Sequence, residues 1–273
     1  FINGASLRSN RLIVFSPGST IRGNRLKGIY YSDIASTYRE EQTDNKISFV
    51  AENITFKFPN GKLGLRGINI SEDTGRLIGL MGGSGAGKST LLNVLNGNEV
   101  PSDGSVRING IDINKEKSKV EGVIGYVPQD DLMIDELTVF ENLYYAAKLC
   151  FSEVNENELK ELVLKTLSSL GLTETKDLKV GSPLEKTISG GQRKRLNIGL
   201  ELLREPSVLF VDEPTSGLSS RDSENIMDLL KELSLKGKMV FVVIHQPSSD
   251  IFKMFDKLVI LDFGGYQIYY GNP

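Results

Sequence analysis

Residues 82–90 constrain the fold of this chain more than any other stretch. They fit the pattern G-x-x-x-x-G-K-[ST] and lie between two apolar runs, 77–81 and 91–95. A strand, a glycine-rich loop and a helix in this order form a P-loop. The nine residues are Gly82, Gly83, Ser84, Gly85, Ala86, Gly87, Lys88, Ser89 and Thr90. The pattern therefore predicts a phosphate-binding loop at the N-terminus of a helix.

The chemistry of this loop predicts that it binds a nucleoside triphosphate. Its small residues leave the backbone free to wrap around phosphates, with successive N–H groups facing the anionic oxygens. Lys88 is expected to reach the β- and γ-phosphates, and Ser89 to ligate Mg²⁺. A flexible loop without a ligand is the alternative, which the flanking strand and helix disfavour.

Composition indicates a soluble globular protein. The 273 residues carry a net charge of −3, so we expect no nucleic-acid partner. No apolar run approaches the roughly 20 residues that span a bilayer. The single cysteine, Cys150, follows a helical pattern and is expected to be a buried structural thiol. Because the chain begins with Phe1 rather than Met, we expect it to be part of a longer protein.

Residues 1–45 differ from the rest and carry no recognisable catalytic constellation. Short strands are predicted at 11–15 and 28–31, followed by a linker at 40–45, so the segment is interpreted as a hairpin and linker from an upstream region. The alternative is a peptide- or phosphate-binding role for its arginines. These are Arg8, Arg11, Arg22 and Arg25.

Two further strands are predicted at 47–54 and 62–70, on either side of a turn at 59–61. They are expected to form a sheet beside the nucleotide. Phe58 lies 24 residues before Gly82, at a position where an aromatic ring could stack on the base. The alternative for Phe58 is a simple core residue.

A helical block is predicted within an otherwise α/β sequence, at about 131–188. Thr138 and Glu141 have the spacing of a capping box, and apolar residues recur at helical spacing across 158–170. Gln129 precedes this block, just after a predicted strand at 123–127, and is weak evidence by itself.

Three polar motifs follow in the second half of the chain. Ser189, Gly190, Gly191 and Gln192 open a helix and are interpreted either as an anion site or as a helix cap. Asp212 and Glu213 end an apolar strand, and His245, the only histidine, ends the apolar run 239–244. Polar residues at the carboxyl ends of parallel strands are placed where α/β sheets carry out chemistry.

Residues 47–273 resemble the nucleotide-binding domain of ABC transporters, and the domain is placed at 46–273. The motifs that carry the resemblance are the P-loop at 82–90, Gln129 as the Q-loop, 189–192 as the signature, 208–213 as Walker B and His245 as the switch histidine. The segments 188–195, 244–252 and 269–273 are similar to the G subfamily (White type). One departure is Ser219, which stands where that family has the D-loop aspartate.

The resemblance implies the ABC ATPase fold: α/β, a P-loop NTPase core with an antiparallel β subdomain and an inserted α-helical subdomain. It also implies roles for four further residues. Asp212 would hold Mg²⁺ through water, Gln129 would sense the metal and the attacking water, Glu213 would be the general base, and His245 would contact the γ-phosphate. The implied cofactors are ATP and Mg²⁺.

The implied function is ATP binding and hydrolysis that powers transmembrane transport through closure of a dimer. Two copies would pair head to tail, each ATP lying between the P-loop of one copy and the signature of the other. A membrane domain, C-terminal in the same parent chain, would place this domain at the cytoplasmic face of the membrane. The alternatives are a soluble ABC ATPase that acts as an ATP-driven clamp, and a binding module with a vestigial ATP site, which the complete motif set disfavours.

Overall fold

The computed structural model describes residues 20–23, 26–30, 47–151, 153–182 and 187–273. The chain divides into two compact units. The sheet unit comprises the described parts of Gln42–Gln129, Glu205–Ser216 and Lys236–Pro273. The helical unit comprises those of Phe1–Glu41, Asp130–Arg204 and Gly217–Leu235. The boundaries expected from the sequence, 46–273 and about 131–188, stay predictions.

The described residues of the N-terminal segment form a hairpin. Strand β1 (Thr20–Gly23) pairs antiparallel with β2 (Leu26–Tyr30). Strand β2 overlaps the strand predicted at 28–31, but its partner β1 was not anticipated from the sequence. The predicted strand at 11–15 and the predicted linker at 40–45 lie outside the described residues, as do Arg8, Arg11 and Arg25.

The sheet unit is built on ten strands. They are β3 (Ser48–Lys57), β4 (Leu63–Asp73), β5 (Leu77–Gly82), β6 (Asp103–Ile108), β7 (Ile111–Asp112), β8 (Ile124–Val127), β9 (Val208–Asp212), β10 (Met239–Val243), β11 (Lys257–Asp262) and β12 (Tyr266–Gly271). Their order in the sheet is β7-β6-β3-β4-β12-β11-β5-β10-β9-β8. The first four strands are antiparallel, whereas β11, β5, β10, β9 and β8 are parallel. This arrangement combines the predicted antiparallel subdomain with a parallel P-loop core.

The core of the sheet unit explains why the P-loop has a fixed position. Every residue of β9 and β10 is buried, as expected for parallel strands covered on both faces. The rings of Phe210 and Phe241 stack with centroids 5.0 Å apart, and Phe49 packs on Phe241 at the same distance. Helix α1 (Lys88–Leu95) begins after the strand β5 and buries its leucines in this core. The loop between β5 and α1 is therefore anchored at both ends.

Where the structure describes the helical unit, it contains the α-helices α2 (Val139–Cys150), α3 (Glu156–Ser169), α4 (Gly190–Leu202) and α5 (Ser220–Leu235). The capping box predicted for α2 is confirmed. Thr138 Oγ1 accepts a hydrogen bond from the Glu141 amide at 3.1 Å, and the Thr138 amide donates to Glu141 Oε2 at 2.8 Å. Both bonds satisfy amides that the first turn of a helix leaves unpaired.

Two sequence expectations for this unit require correction. Helix α3 begins two residues before the predicted start at 158, because Asn155 caps it through the amides of Asn157 and Glu158. Cys150 is half-buried rather than buried, and its sulfur accepts a hydrogen bond from Arg204 Nε at 3.1 Å.

A further helix, the single turn α6 (Ser249–Phe252), belongs to the sheet unit. None of the helices in the described ranges combines the length and apolarity that a membrane span requires.

Candidate functional site

A pocket of about 500 Å³ opens beside the P-loop, and all its lining residues belong to the sheet unit. Three loops and two strand ends form its walls. The lining residues are Phe58, Lys62, Leu63 and Gly64 from the β3–β4 turn and the start of β4, Ser84, Gly85, Gly87, Lys88, Ser89 and Thr90 from the P-loop and α1, Glu213 and His245 from the strand ends, and Phe263, Gly264 and Gly265 from the β11–β12 turn. The P-loop residues Gly82, Gly83 and Ala86 lie outside this lining.

The backbone of the P-loop requires glycine at two positions. Gly82 has φ 150°, and a Cβ atom there would lie 2.4 Å from the Leu261 carbonyl oxygen. Gly87 has φ 100°, and its Cβ would lie 2.9 Å from the carbonyl oxygen of Gly64. Gly87 is also the N-cap of α1 and caps the helix with no side chain. The first amides of α1 therefore remain available to an anion, in a position where the helix dipole favours negative charge.

Lys88 is the first residue of α1, and its side chain points back into the P-loop. Its side chain is buried, and Nζ donates to the carbonyl oxygens of Gly82 at 3.0 Å and Gly83 at 2.9 Å. Burial lowers the pKa of Lys88, whereas the nearby carboxylates of Glu213 and Asp212 act in the opposite direction. The ammonium group is thus held among carbonyl oxygens within reach of the pocket, where phosphate oxygens could replace them.

Glu213 and His245 form a pair at the ends of two neighbouring strands. Strands β9 and β10 are parallel and in register, with Asp212 opposite Val243, so both chains leave the sheet at the same edge. His245 Nε2 lies 2.9 Å from Glu213 Oε1, a hydrogen-bonding distance. Glu213 has φ 44°, a left-handed conformation that is uncommon for a non-glycine residue and is often found at functional sites. This pair offers a proton acceptor whose orientation is fixed by an imidazole.

Asp212 and Gln129 are not among the residues that line the pocket. Asp212 is the buried last residue of β9, and its charge acts on Lys88. Gln129 is exposed and follows β8, at the edge of the parallel sheet. The described ranges contain no group of three or more His, Cys, Asp or Glu residues that could hold a metal ion. Ser89, Asp212 and Gln129 are oxygen donors, a set that suits Mg²⁺ bound mainly through substrate phosphates and water.

Phe58 lines the pocket and is 36% exposed. Its ring packs edge-on against Phe56, with centroids 5.2 Å apart, and leaves no room for a side chain at Gly64. The ring is therefore supported from behind, while part of it remains accessible to a ligand. This environment suits a stacking platform for a base better than a fully buried core position.

The residues Ser189, Gly190, Gly191 and Gln192 form the first turn of α4 in the helical unit. Ser189 Oγ accepts from the Gln192 amide at 3.2 Å, and the Ser189 amide donates to Gln192 Oε1 at 2.7 Å. The helix-cap interpretation of this motif is therefore confirmed, and Gln192 is the second member of a capping box. An anion-binding role for the motif stays a prediction.

The wall formed by the β11–β12 turn was not predicted from the sequence. Gly265 has φ 76°, and a Cβ atom there would lie 2.0 Å from the Gly64 carbonyl oxygen. Phe263, 69% exposed, approaches the bare backbone of Gly83. The Gly264–Gly265 pair is a sequence signal for a turn with close backbone approach, but the sequence does not show which loop it approaches. Lys62 was also missed, since a lysine in a turn is usually solvated.

Comparisons with known proteins agree with this geometry. The family model described as ABC transporter matches residues 65–216, more than half of the chain. The chain is 39% identical over 230 residues to ABC transporter G family member 13 of Arabidopsis thaliana, covering 81% of this chain and 33% of that protein. It is 44% identical over 200 residues to ABC transporter G family member 25 of Oryza sativa subsp. japonica, covering 72% of this chain and 20% of that protein.

Solved structures give the same result. The crystal structure of the ADP conformation of an ATP-binding cassette of an ABC transporter matches with a TM-score of 0.71 and 29% identity, over 84% of this chain and 92% of that one. The structure of cbiO1 from Clostridium perfringens, part of the ABC transporter complex cbiONQ, matches with a TM-score of 0.73 and 28% identity, over 82% of this chain and 88% of that one. The fold predicted from the sequence is therefore confirmed.

The matched G family members are much longer than the aligned region, which spans only about a fifth to a third of their length. Within that region the family motifs, the fold and the pocket agree. The chain belongs to the ABC transporter family, in which it is an ATP-binding and ATP-hydrolysing domain similar to those of the G (White-type) subfamily.

Proposed function

We propose that the pocket binds ATP with Mg²⁺ and that hydrolysis there powers transport across a membrane. The observation that carries this proposal is the Glu213–His245 pair, which lines the same pocket as the P-loop residue Lys88. A cation for the phosphates and an oriented carboxylate for the attacking water thus lie in one cavity. These are the parts that transfer of a phosphoryl group to water requires.

Binding uses the residues of the pocket in three ways. Phe58 stacks on the adenine, and the amides of residues 84–90 cradle the phosphates. Lys88 exchanges the carbonyl oxygens of Gly82 and Gly83 for oxygens of the β- and γ-phosphates. Ser89 would bind Mg²⁺ directly, Asp212 would hold it through water, and Gln129 would sense the metal and the attacking water. The metal, when bound, neutralises charge on the phosphate oxygens.

Hydrolysis depends on Glu213 as the general base. Its carboxylate accepts the proton of the attacking water as the bond between the γ-phosphorus and the bridging oxygen breaks. His245 holds Glu213 through Nε2 and contacts the γ-phosphate. Gln129 senses the attacking water and links to the helical unit, one segment of which, Asp130–Arg204, begins directly after it in the chain.

ATP is shared between two copies of the chain that pair head to tail. Ser189, Gly190, Gly191 and Gln192 of one copy contact the ATP held by the P-loop of the other. Because ATP binds the closed dimer better than the open one, binding closes the dimer and hydrolysis reopens it. A membrane domain in the same parent chain converts this cycle into transport at the cytoplasmic face of the membrane. The names of the matched relatives, ABC transporter G family members, support the role in transport.

Replacement of Glu213 by Gln tests the catalytic assignment. The variant should bind a fluorescent ATP analogue as the wild type does, while ATP turnover falls by a factor of about 10² or more. Glu99→Gln, at an exposed carboxylate of the sheet unit, is the matched control and should leave turnover unchanged. Unchanged hydrolysis by Glu213→Gln would remove Glu213 from the role of general base.

Membrane partitioning of the full-length parent protein tests the transport assignment. Retention in the membrane pellet after an alkaline carbonate wash is expected if a membrane domain is part of the same chain. Release into the supernatant contradicts a fused membrane domain and favours a separately encoded membrane partner or the alternative, a soluble ATP-driven clamp.

A further inference from the structure

Helix α5 begins directly after Ser219, the residue at which this chain departs from the D-loop pattern of its family. Ser219 Oγ accepts a hydrogen bond from the Asp222 amide at 3.1 Å, and the Ser219 carbonyl oxygen accepts from the Ser223 amide at 2.9 Å. The Ser219 hydroxyl also donates to Asp222 Oδ2 at 2.7 Å. Ser219 therefore caps α5 and orients the carboxylate of Asp222. An ionised aspartate at position 219 could accept from the amide but could not donate to that carboxylate.

The other oxygen of Asp222 faces the first turn of α4. A Cβ atom built on Gly191 would lie 2.6 Å from Asp222 Oδ1 and 2.9 Å from its Cγ. Real Cβ atoms do not approach other atoms this closely, so the carboxylate occupies the space that a side chain at Gly191 would need. The absence of a side chain at this signature glycine is thus what allows Asp222 to pack against the helix backbone.

The charge of Asp222 suits this position. Arg195 lies four residues after Gly191 and therefore on the same face of α4. Burial lowers the pKa of Arg195, and the negative charge of Asp222 opposes that shift. The carboxylate also lies beside the N-terminal turn of α4, where the helix dipole favours a negative charge. Asp222 thus attracts the signature helix both at its first turn and one turn later.

We propose that Asp222 is a positioning residue for the signature motif. It fixes the first turn of α4 by packing on Gly191 and attracting Arg195. This inference rests on the proposed function, in which that turn completes the ATP site of a second copy. It predicts that Asp222 affects turnover rather than capture of ATP, because the P-loop pocket lies entirely in the sheet unit.

The test compares Asp222→Ala with Asp222→Asn in the 273-residue chain, at a temperature well below the unfolding midpoint of every variant. We expect kcat for ATP to fall about tenfold or more, because small misplacements of a catalytic group cost rate steeply, while affinity for a fluorescent ATP analogue stays within about twofold. Glu158→Ala, which removes a first-turn carboxylate from α3, is the control and should leave kcat unchanged. If Asp222→Ala does not fold, Asp222→Asn is judged by the same criterion.

A carboxylate relocation sharpens this test. The double variant Ser219→Asp with Asp222→Ser restores the family pattern at position 219 and keeps a capping residue, but it removes the contact with Gly191. We expect it to remain as impaired as Asp222→Ala. Recovery of wild-type kcat would overturn the inference, since a carboxylate at 219 would then suffice.

Failure of this inference is distinguishable from failure of the proposed function. A wild-type chain that does not hydrolyse ATP, or a fully active Glu213→Gln variant, would contradict the proposed function. Loss of turnover in Glu213→Gln together with wild-type turnover in Asp222→Ala and Asp222→Asn would contradict the positioning role of Asp222 alone.

Discussion

His245 Nε2 and Glu213 Oε1 lie 2.9 Å apart, although 32 positions separate the two residues in the sequence. The contact follows from the register of β9 and β10, whose carboxyl ends lie side by side. Left-handed backbone conformations at Glu213 and Gln246, with φ 44° and 40°, turn the chain at both strand ends. Such conformations cost about 1–3 kcal/mol each and persist where surrounding structure enforces them.

Replacing His245 by Ala should therefore lower kcat without unfolding the domain. Glu213 loses the group that orients its carboxylate, and we expect ATP turnover to fall about tenfold or more. His245→Asn retains a side-chain donor and should recover part of the activity. Steady-state ATPase assays measure both variants. Full activity of His245→Ala would show that Glu213 needs no orientation by His245.

Replacing Lys88 by Met should weaken nucleotide binding about ten- to a hundredfold, because hydrogen bonds to charged groups contribute about 1.5–3 kcal/mol. Lys62→Met is the control, since Lys62 lines the same pocket but is exposed and stays hydrated. Its effect on binding of a fluorescent ATP analogue should be much smaller. Equal losses in the two variants would argue that Lys88 is one of several interchangeable cations.

Lys88 also predicts a pH dependence of stability. Burial lowers its pKa from the ordinary value of 10.5, so the charged form is disfavoured by folding. This destabilisation is fully present below the lowered pKa and disappears as the pH rises towards 10.5. Without nucleotide, the free energy of unfolding of Lys88→Met should therefore exceed that of the wild type at neutral pH. This difference should shrink as the pH rises. Thermal unfolding across the pH series measures the difference, and an advantage that grew with pH would contradict the assigned direction.

Replacing Phe58 by Ala should raise KM for ATP about 5- to 150-fold, since stacking of a base on an aromatic ring contributes about 1–3 kcal/mol. The loss should be similar for GTP, because stacking depends little on base identity. Phe58→Tyr keeps the ring and serves as the control. If Phe58→Ala lost stability but kept its KM, Phe58 would be a packing residue and not a platform.

Replacing Gly265 by Ala should destabilise the sheet unit and displace the P-loop. Its Cβ would lie 2.0 Å from the Gly64 carbonyl oxygen, and that oxygen is also the neighbour of Gly87. Gly122→Ala is a matched control with nearly the same φ, 77° against 76°, but open space around its Cβ. We expect about 1–2 kcal/mol for Gly122→Ala from the left-handed backbone alone, and about 3 kcal/mol or more for Gly265→Ala. Urea unfolding compares the two, and similar losses would exclude a steric effect at Gly265.

The local features of this molecule were predictable from the sequence. The P-loop, the capping box at Thr138 and Glu141, and the apolar strand that ends at Asp212 were all recognised, because each depends on residues within about one or two turns of the chain. Errors arose where a local signal was weak. The cap at Asn155 was overlooked, and the exposure of Cys150 depends on packing that its helical pattern alone does not determine.

Contacts between distant segments were decided by the tertiary structure. Gly64 and Gly265 meet because β12 lies between β4 and β11, an order of strands that no local pattern encodes. Asp222 reaches Gly191 because α5 packs on α4, and the consequence of serine at position 219 becomes visible only there. The sequence by itself determined which residues are candidates for the chemistry, since residue type and short spacing set what a group can bind. The tertiary structure determined which of these residues meet, since those contacts depend on strand order and helix packing across the whole chain.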